Sequence, residues 1–208
     1  MIESRSAHGT TTVAMIIESG VVVCVDSRAS MGSFVGSSET EKFLPISRSV
    51  VATMAGSAAD CAHFIRYVSA RSKLRELNEG KPLSTRTAAQ LLASTLRRQP
   101  PGSDLSVGTM VSGIDDGEPV LIYVDSDGAR VSGSLFAVGS GSPWAYSVLD
   151  AEYSKDLPKD RALDLAEKAV RTATDRDAFS GGFINVFFID KTTATWARER
   201  RLPPPNAT

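Results

Sequence analysis

The run Val21-Val22-Val23-Cys24-Val25 is apolar at every position, so a strand built from it has no face that water can wet. Successive side chains on a strand point to opposite sides. The sheet that contains this run must therefore be covered on both faces, which restricts the chain to layered architectures with buried sheets. A β-rich stretch from Thr11 to Ile17 precedes the run across Ser19-Gly20, and the two predict a hairpin.

Shorter strands are predicted over Lys42 to Ile46 and Ser49 to Met54. Gly56 then opens a helical pattern with Cys61, Phe64, Ile65 and Val68 on one stripe, ended by Asn78-Glu79-Gly80 and Pro82. A second helix takes Ser84 as its N-cap and carries Ala88, Leu91, Leu92 and Leu96 until Pro100-Pro101-Gly102. Strands follow at Leu105 to Ser112, Val120 to Val124 and Ala129 to Val138, with turns at Asp115-Asp116-Gly117 and Asp127-Gly128. A third helix, Pro158 to about Thr174, turns Ala162, Leu165, Ala166, Ala169 and Val170 inward, and Phe183 to Ile189 reads as a last buried strand. Residues 200–208 hold three consecutive prolines and predict an extended tail.

This order predicts an α+β domain in which two packed sheets lie between outer helices. With 208 residues, 42% of them hydrophobic, one domain and one sizeable core are expected; no repeat or linker divides the chain. The balance of 23 basic against 24 acidic residues gives no bulk field for nucleic acid or an anionic membrane. The first nine residues lack the apolar core of a secretory signal, and no segment is apolar for long enough to span a bilayer. Two cysteines, Cys24 and Cys61, fit buried thiols in a reducing compartment.

The chemistry is narrowed by what is missing. The only histidines are His8 and His63, too few for a serine or cysteine hydrolase if His8 is discarded; neither zinc spacing nor a complete dinucleotide loop is present. No metal or cofactor is expected. What remains is a hydroxyl nucleophile served by an amine, and a chain-terminal α-amino group has a suitable pKa near neutrality. Thr10 would carry both groups if the Gly9-Thr10 bond were cut, and Gly9 leaves its carbonyl sterically open to that hydroxyl.

The string His8-Gly9-Thr10-Thr11-Thr12-Val13-Ala14, the segment Gly20 to Ser30, Thr53-Met54-Ala55-Gly56 and Ala58-Ala59-Asp60-Cys61 resemble the proteasome beta subunits. So do Tyr123 to Gly128, Val138-Gly139-Ser140-Gly141-Ser142 and Arg176 to Gly182, with the type of chymotrypsin-like preference matched best. The resemblance covers all but the two ends. It implies an N-terminal-nucleophile hydrolase, a four-layer αββα sandwich, with residues 1–9 as propeptide, 10–199 as catalytic domain and 200–208 as tail. Position by position it implies Thr10 as nucleophile, Asp26 and Lys42 as the charged pair beside it, and Gly56 as the oxyanion amide. Ser140, Asp177 and Ser180 match the groups that hold the threonine amine and its water.

For specificity, the resemblance implies that Ala29, Met54 and Ala58 line an apolar pocket for large hydrophobic side chains, with Cys61 at its wall. Ser30 would offer backbone contacts to a peptide bound as an added strand. Thr40, also at the pocket, and Glu41 depart from the family pattern, which has an apolar residue and a second lysine there. The implied partners are other beta subunits in a heptameric ring, alpha-ring subunits and unfolded polypeptides, in cytoplasm and nucleus. A silent structural subunit is disfavoured by the retained Gly9, Thr10 and Lys42, and a simpler homomeric peptidase by Ala58 to Cys61 and Tyr123 to Ser126.

Overall fold

The computed structural model describes residues 9–100 and 103–204. Most of the expected propeptide, His8 included, and the end of the expected tail lie outside them. The predicted hairpin forms from β1 (Thr12–Ile17) and β2 (Gly20–Val25), and a short hairpin of β3 (Ala29–Met31) and β4 (Phe34–Ser37) follows. Next come β5 (Phe43–Pro45), β6 (Val50–Thr53) and β7 (Ala55–Gly56), then the helices α1 (Ala58–Glu79) and α2 (Thr85–Leu96). Strands β8 (Val107–Asp115), β9 (Glu118–Asp125), β10 (Arg130–Ser132) and β11 (Leu135–Val138) lead to α3 (Ser142–Glu152) and α4 (Lys159–Arg176). The last strands are β12 (Ile184–Asp190) and β13 (Trp196–Leu202).

One sheet runs β11-β1-β2-β12-β13 and the other β10-β9-β8-β6-β5, with β7 also paired to β8; every pairing is antiparallel. The alternation of β2 shows why the layers stack. Val22 and Cys24 point into a core shared with α3 and α4, while Val21, Val23 and Val25 point between the sheets at Phe43, Met110 and Phe187. All five are buried, each of the valines worth roughly 1.5–3 kcal/mol in removed apolar surface. A third core joins α1 and α2 to the far side of the second sheet through Phe64, Ile65, Val68 and Leu92. The result is the predicted αββα sandwich.

Local chemistry sets the element boundaries. Ser57 and Ser84 cap α1 and α2 by accepting the amides of Asp60 at 3.3 Å and Thr87 at 3.2 Å. Helix α1 thus begins after Ser57, and Gly56 belongs to β7 rather than to the helix as its pattern predicted. Asp116 and Gly117, at φ 53° and 79°, make the two-residue turn that joins β8 to β9.

Two expectations are corrected, and one helix adds to them. Ala129 to Val138 is not one strand: β10 pairs with β9 in one sheet and β11 with β1 in the other, and Gly133 lies where the chain crosses between layers. Helix α3 escaped the periodicity because its fully buried apolar side chains are only Ala145 and Leu149, one turn apart. The tail starts later than residue 200, since Arg200 to Leu202 complete β13. This edge strand reads as polar because its arginines bind acidic partners instead of a core: Arg198 meets Glu41 at 3.2 Å, Arg200 meets Asp164 at 2.7 Å and Arg201 meets Glu39 at 2.7 Å.

Candidate active site

Thr10 and Thr11 enter β1 from its open end, where the loop after β11 and the turn after α4 converge. Gly139 makes the first approach possible: at φ 110° it brings its backbone so close to Thr10 that a Cβ there would sit 2.0 Å from the Thr10 carbonyl oxygen. The next residue, Ser140, is thereby aimed at the nucleophile and accepts the Thr10 amide at 3.3 Å. Ser140 in turn donates to Asp177 Oδ2 at 2.5 Å, and Ser180 donates to the same oxygen at 2.6 Å. The Ser180 hydroxyl also meets that of Thr11 at 2.7 Å. Asp177, just past the C-terminus of α4, thus gathers both serines from separate elements.

On the other side, Asp26 follows β2 and Lys42 precedes β5. The Lys42 ammonium donates to Asp26 Oδ1 at 2.6 Å and to the Gly9 carbonyl at 3.3 Å. Asp26 also accepts the amides of Thr11 at 3.0 Å and Gly181 at 2.9 Å. Burial acts in opposite senses on the pair: it pushes the Asp26 carboxyl up and the Lys42 ammonium down, opposed by their mutual attraction and, for Asp26, by the two amides. A lysine so placed parts with a proton more easily than one in water. The Thr10 hydroxyl donates to the Gly9 carbonyl oxygen at 2.6 Å, so two donors converge on the carbonyl preceding the threonine.

Thr10 is only 4% exposed. It shares a small cleft with Gly9, Arg28, Ala29, Ser30, Thr40, Lys42, Met54, Gly56 and Ala58. Gly56, at φ 99°, turns the backbone between β6 and α1 in a way a side chain would resist, because its Cβ would meet the Ser106 carbonyl at 2.4 Å. With Gly9 in place the cleft holds only about 20 Å³, room for about one water and not for a substrate side chain.

The structure therefore brings together all the residues expected at the nucleophile and most of those expected at the specificity pocket. Cys61 is the exception: it is fully buried among the side chains beneath β6 and β7, where its thiol donates to the Ala55 carbonyl at 3.3 Å. As the fourth residue of α1 it faces the sheet, not the cleft. Glu41 points away to Arg198, so only Thr40 of the two departures reaches the cleft. Arg28, not singled out from the sequence, lines the cleft and donates to the Ala178 carbonyl at 3.1 Å. A larger cavity, about 550 Å³, lies at the opposite end of β1 beside Ile17, Glu118 and Lys191, far from Thr10. Among the described residues no group of three or more His, Cys, Asp or Glu is placed to hold a metal ion.

A four-layer αββα sandwich with a threonine, a buried lysine and a serine-aspartate network at the head of its first strand defines an N-terminal-nucleophile hydrolase. The family model for proteasome subunits matches residues 6–189, and the chain belongs to the proteasome subunit family. It is similar to proteasome subunit beta type-5 of Gallus gallus, 46% identical over 182 residues that cover 88% of this chain and 71% of that protein. Beta type-5 of Spinacia oleracea is 44% identical over 185 residues, 89% of this chain and 68% of its own. Beta type-8 of Rattus norvegicus is 41% identical over 190 residues, 91% and 68% respectively.

Proposed function

We propose that this chain is a catalytic beta subunit of the proteasome core particle, a threonine endopeptidase that cleaves after large hydrophobic residues and matures by cutting its own Gly9-Thr10 bond. The observation that carries this reading is the pair of donors on the Gly9 carbonyl oxygen, Thr10 Oγ1 at 2.6 Å and Lys42 Nζ at 3.3 Å.

In self-cleavage the Thr10 hydroxyl oxygen adds to the Gly9 carbonyl carbon while Lys42 stabilises the charge growing on the carbonyl oxygen. The hydroxyl proton passes to the departing nitrogen, the C–N bond breaks and an ester to Gly9 remains. Water then hydrolyses that ester, leaving residue 10 with a free amine beside its own hydroxyl. In substrate turnover the amine takes the hydroxyl proton as Thr10 attacks the peptide carbonyl, and the Gly56 amide receives the oxyanion. Ser140, Asp177 and Ser180 orient the amine and the deacylating water. Ala29, Met54 and Ala58 receive the side chain before the cut bond, once residues 1–9 have left.

The partners are other beta subunits in a heptameric ring, flanking alpha-ring subunits and unfolded polypeptides. Cytoplasm and nucleus are the expected compartments, and among the described residues no helix is long and apolar enough to cross a membrane. Intact mass of the chain from assembled particles, with and without a threonine-reactive covalent inhibitor, tests the reading. A mass beginning at Thr10 that gains one inhibitor supports it. A chain that retains Met1 to Gly9 and takes no adduct sinks it in favour of a silent structural subunit.

A further inference from the structure

Gly9 is buried, and what it is buried against is specific. A Cβ built on it would lie 1.7 Å from Phe179 Cβ and 2.5 Å from both the Phe179 Cα and its carbonyl oxygen. No rotamer of either residue relieves a collision between two Cβ atoms, because their positions are set by the backbone. Nor can the Phe179 segment easily retreat. Its amide donates to Asp177 Oδ1 at 3.2 Å, its carbonyl accepts from Ser30 Oγ at 3.3 Å, and the preceding Ala178 carbonyl accepts from Arg28 Nη1 at 3.1 Å. The segment is tied to α4 on one side and to the start of the β3 hairpin on the other.

We propose that Phe179 is a positioning residue for self-cleavage: its Cβ and backbone form a wall against which only glycine at position 9 can lie, and that contact seats the Gly9 carbonyl between Thr10 Oγ1 and Lys42 Nζ. The inference rests on the self-processing reading above and adds a cause for the glycine. Gly9 is needed because Phe179 occupies the space of a side chain, and not merely because a bare carbonyl is easier to attack. An L substrate residue cannot follow the Gly9 backbone without the same collision, so it reaches Thr10 along a different backbone course, one that turns its side chain away from Phe179 and toward Ala29, Met54 and Ala58.

The test follows loss of residues 1–9 by intact mass over time in particles assembled from full-length chains. Phe179→Ala keeps the Cβ and is processed within about twofold of the unchanged protein, whereas Gly9→Ala is slowed by about 10²-fold, the scale of a 1 Å misplacement. Phe179→Gly removes the closest part of the wall, the Cβ at 1.7 Å, and leaves the Cα and carbonyl oxygen at 2.5 Å. It slows processing of a Gly9 chain, yet in combination with Gly9→Ala it restores roughly 10-fold over Gly9→Ala alone, only a fraction of that misplacement cost. A merely structural role for Phe179 makes the double variant slower still, and that result overturns the inference. If Phe179→Gly chains do not enter particles, a chain carrying D-alanine at position 9, ligated at Cys24, reads the same collision with Phe179 intact. Its methyl leaves the opposite side of the backbone, so it is processed faster than the L-alanine chain; equal rates overturn the inference. An unchanged chain that never loses residues 1–9 overturns the self-processing reading itself, while normal processing without rescue overturns only the role of Phe179.

Discussion

Lys42 Nζ lies 2.6 Å from Asp26 Oδ1, and both side chains are almost wholly buried. Removing one partner leaves the other charged and unpaired inside the protein, which costs about 3–5 kcal/mol, while replacing both with neutral groups of similar volume is far milder. Lys42→Met should therefore lower stability to denaturant by that amount, and Asp26→Asn combined with Lys42→Met should recover most of it. Neither variant should hydrolyse peptide, because the cation next to Thr10 is gone in both. Recovery of activity along with stability in the double variant would remove Lys42 from the mechanism.

The Asp177 carboxylate accepts from Ser140 at 2.5 Å and from Ser180 at 2.6 Å. Asp177→Asn replaces an acceptor oxygen with an NH2 group that cannot accept both hydroxyls, so Ser140 loses its orientation toward the Thr10 amine. We expect kcat to fall by roughly 10²-fold, the lower end of what positioned proton transfer contributes, with KM little changed. A change confined to KM would place this network in substrate binding instead.

Ala29 and Ala58 are the small side chains of the cleft beside Thr10. Ala58→Val adds two methyl groups there, and a pocket that discriminates by fit changes by about 1–3 kcal/mol for such a difference in bulk. Peptides with phenylalanine or leucine before the cut bond should lose kcat/KM by roughly 10-fold or more, and peptides with alanine there should not. An equal loss on both kinds of peptide would mean that Ala58 does not face the side chain before the cut.

Burial pushes the Cys61 thiol up from 9.0 to about 11, and Cys24 shifts in the same direction. An unfolded thiol ionises near its ordinary value while the folded one keeps its proton, so between these values the folded state binds more protons. Stability is then fully present below about pH 9 and falls as pH rises toward 11, by about 3 kcal/mol for Cys61 alone. Denaturant midpoints measured across that window should drop, and Cys61→Ala should flatten the drop although it lowers stability at neutral pH. An unchanged slope in Cys61→Ala would assign the alkaline loss to other groups.

The doubly apolar Val21 to Val25, the serine cap at 84 and the inward face of α4 all depend on neighbours within a few residues, and these elements were readable from the sequence. The candidate nucleophile was readable for a different reason. With too few histidines and no metal spacing, few ways to activate a nucleophile remain, and the ordered strings from Gly9 to Gly182 point to one of them. Tertiary structure alone decided where Ala129 to Val138 divides between two sheets, because crossing a layer depends on which edge is free and not on local pattern. It alone turned the arginine-rich Trp196 to Leu202 into an edge strand, since the acidic partners that make this possible come from distant segments. It alone set Phe179 against Gly9, a contact between segments 170 residues apart whose distance no periodicity encodes.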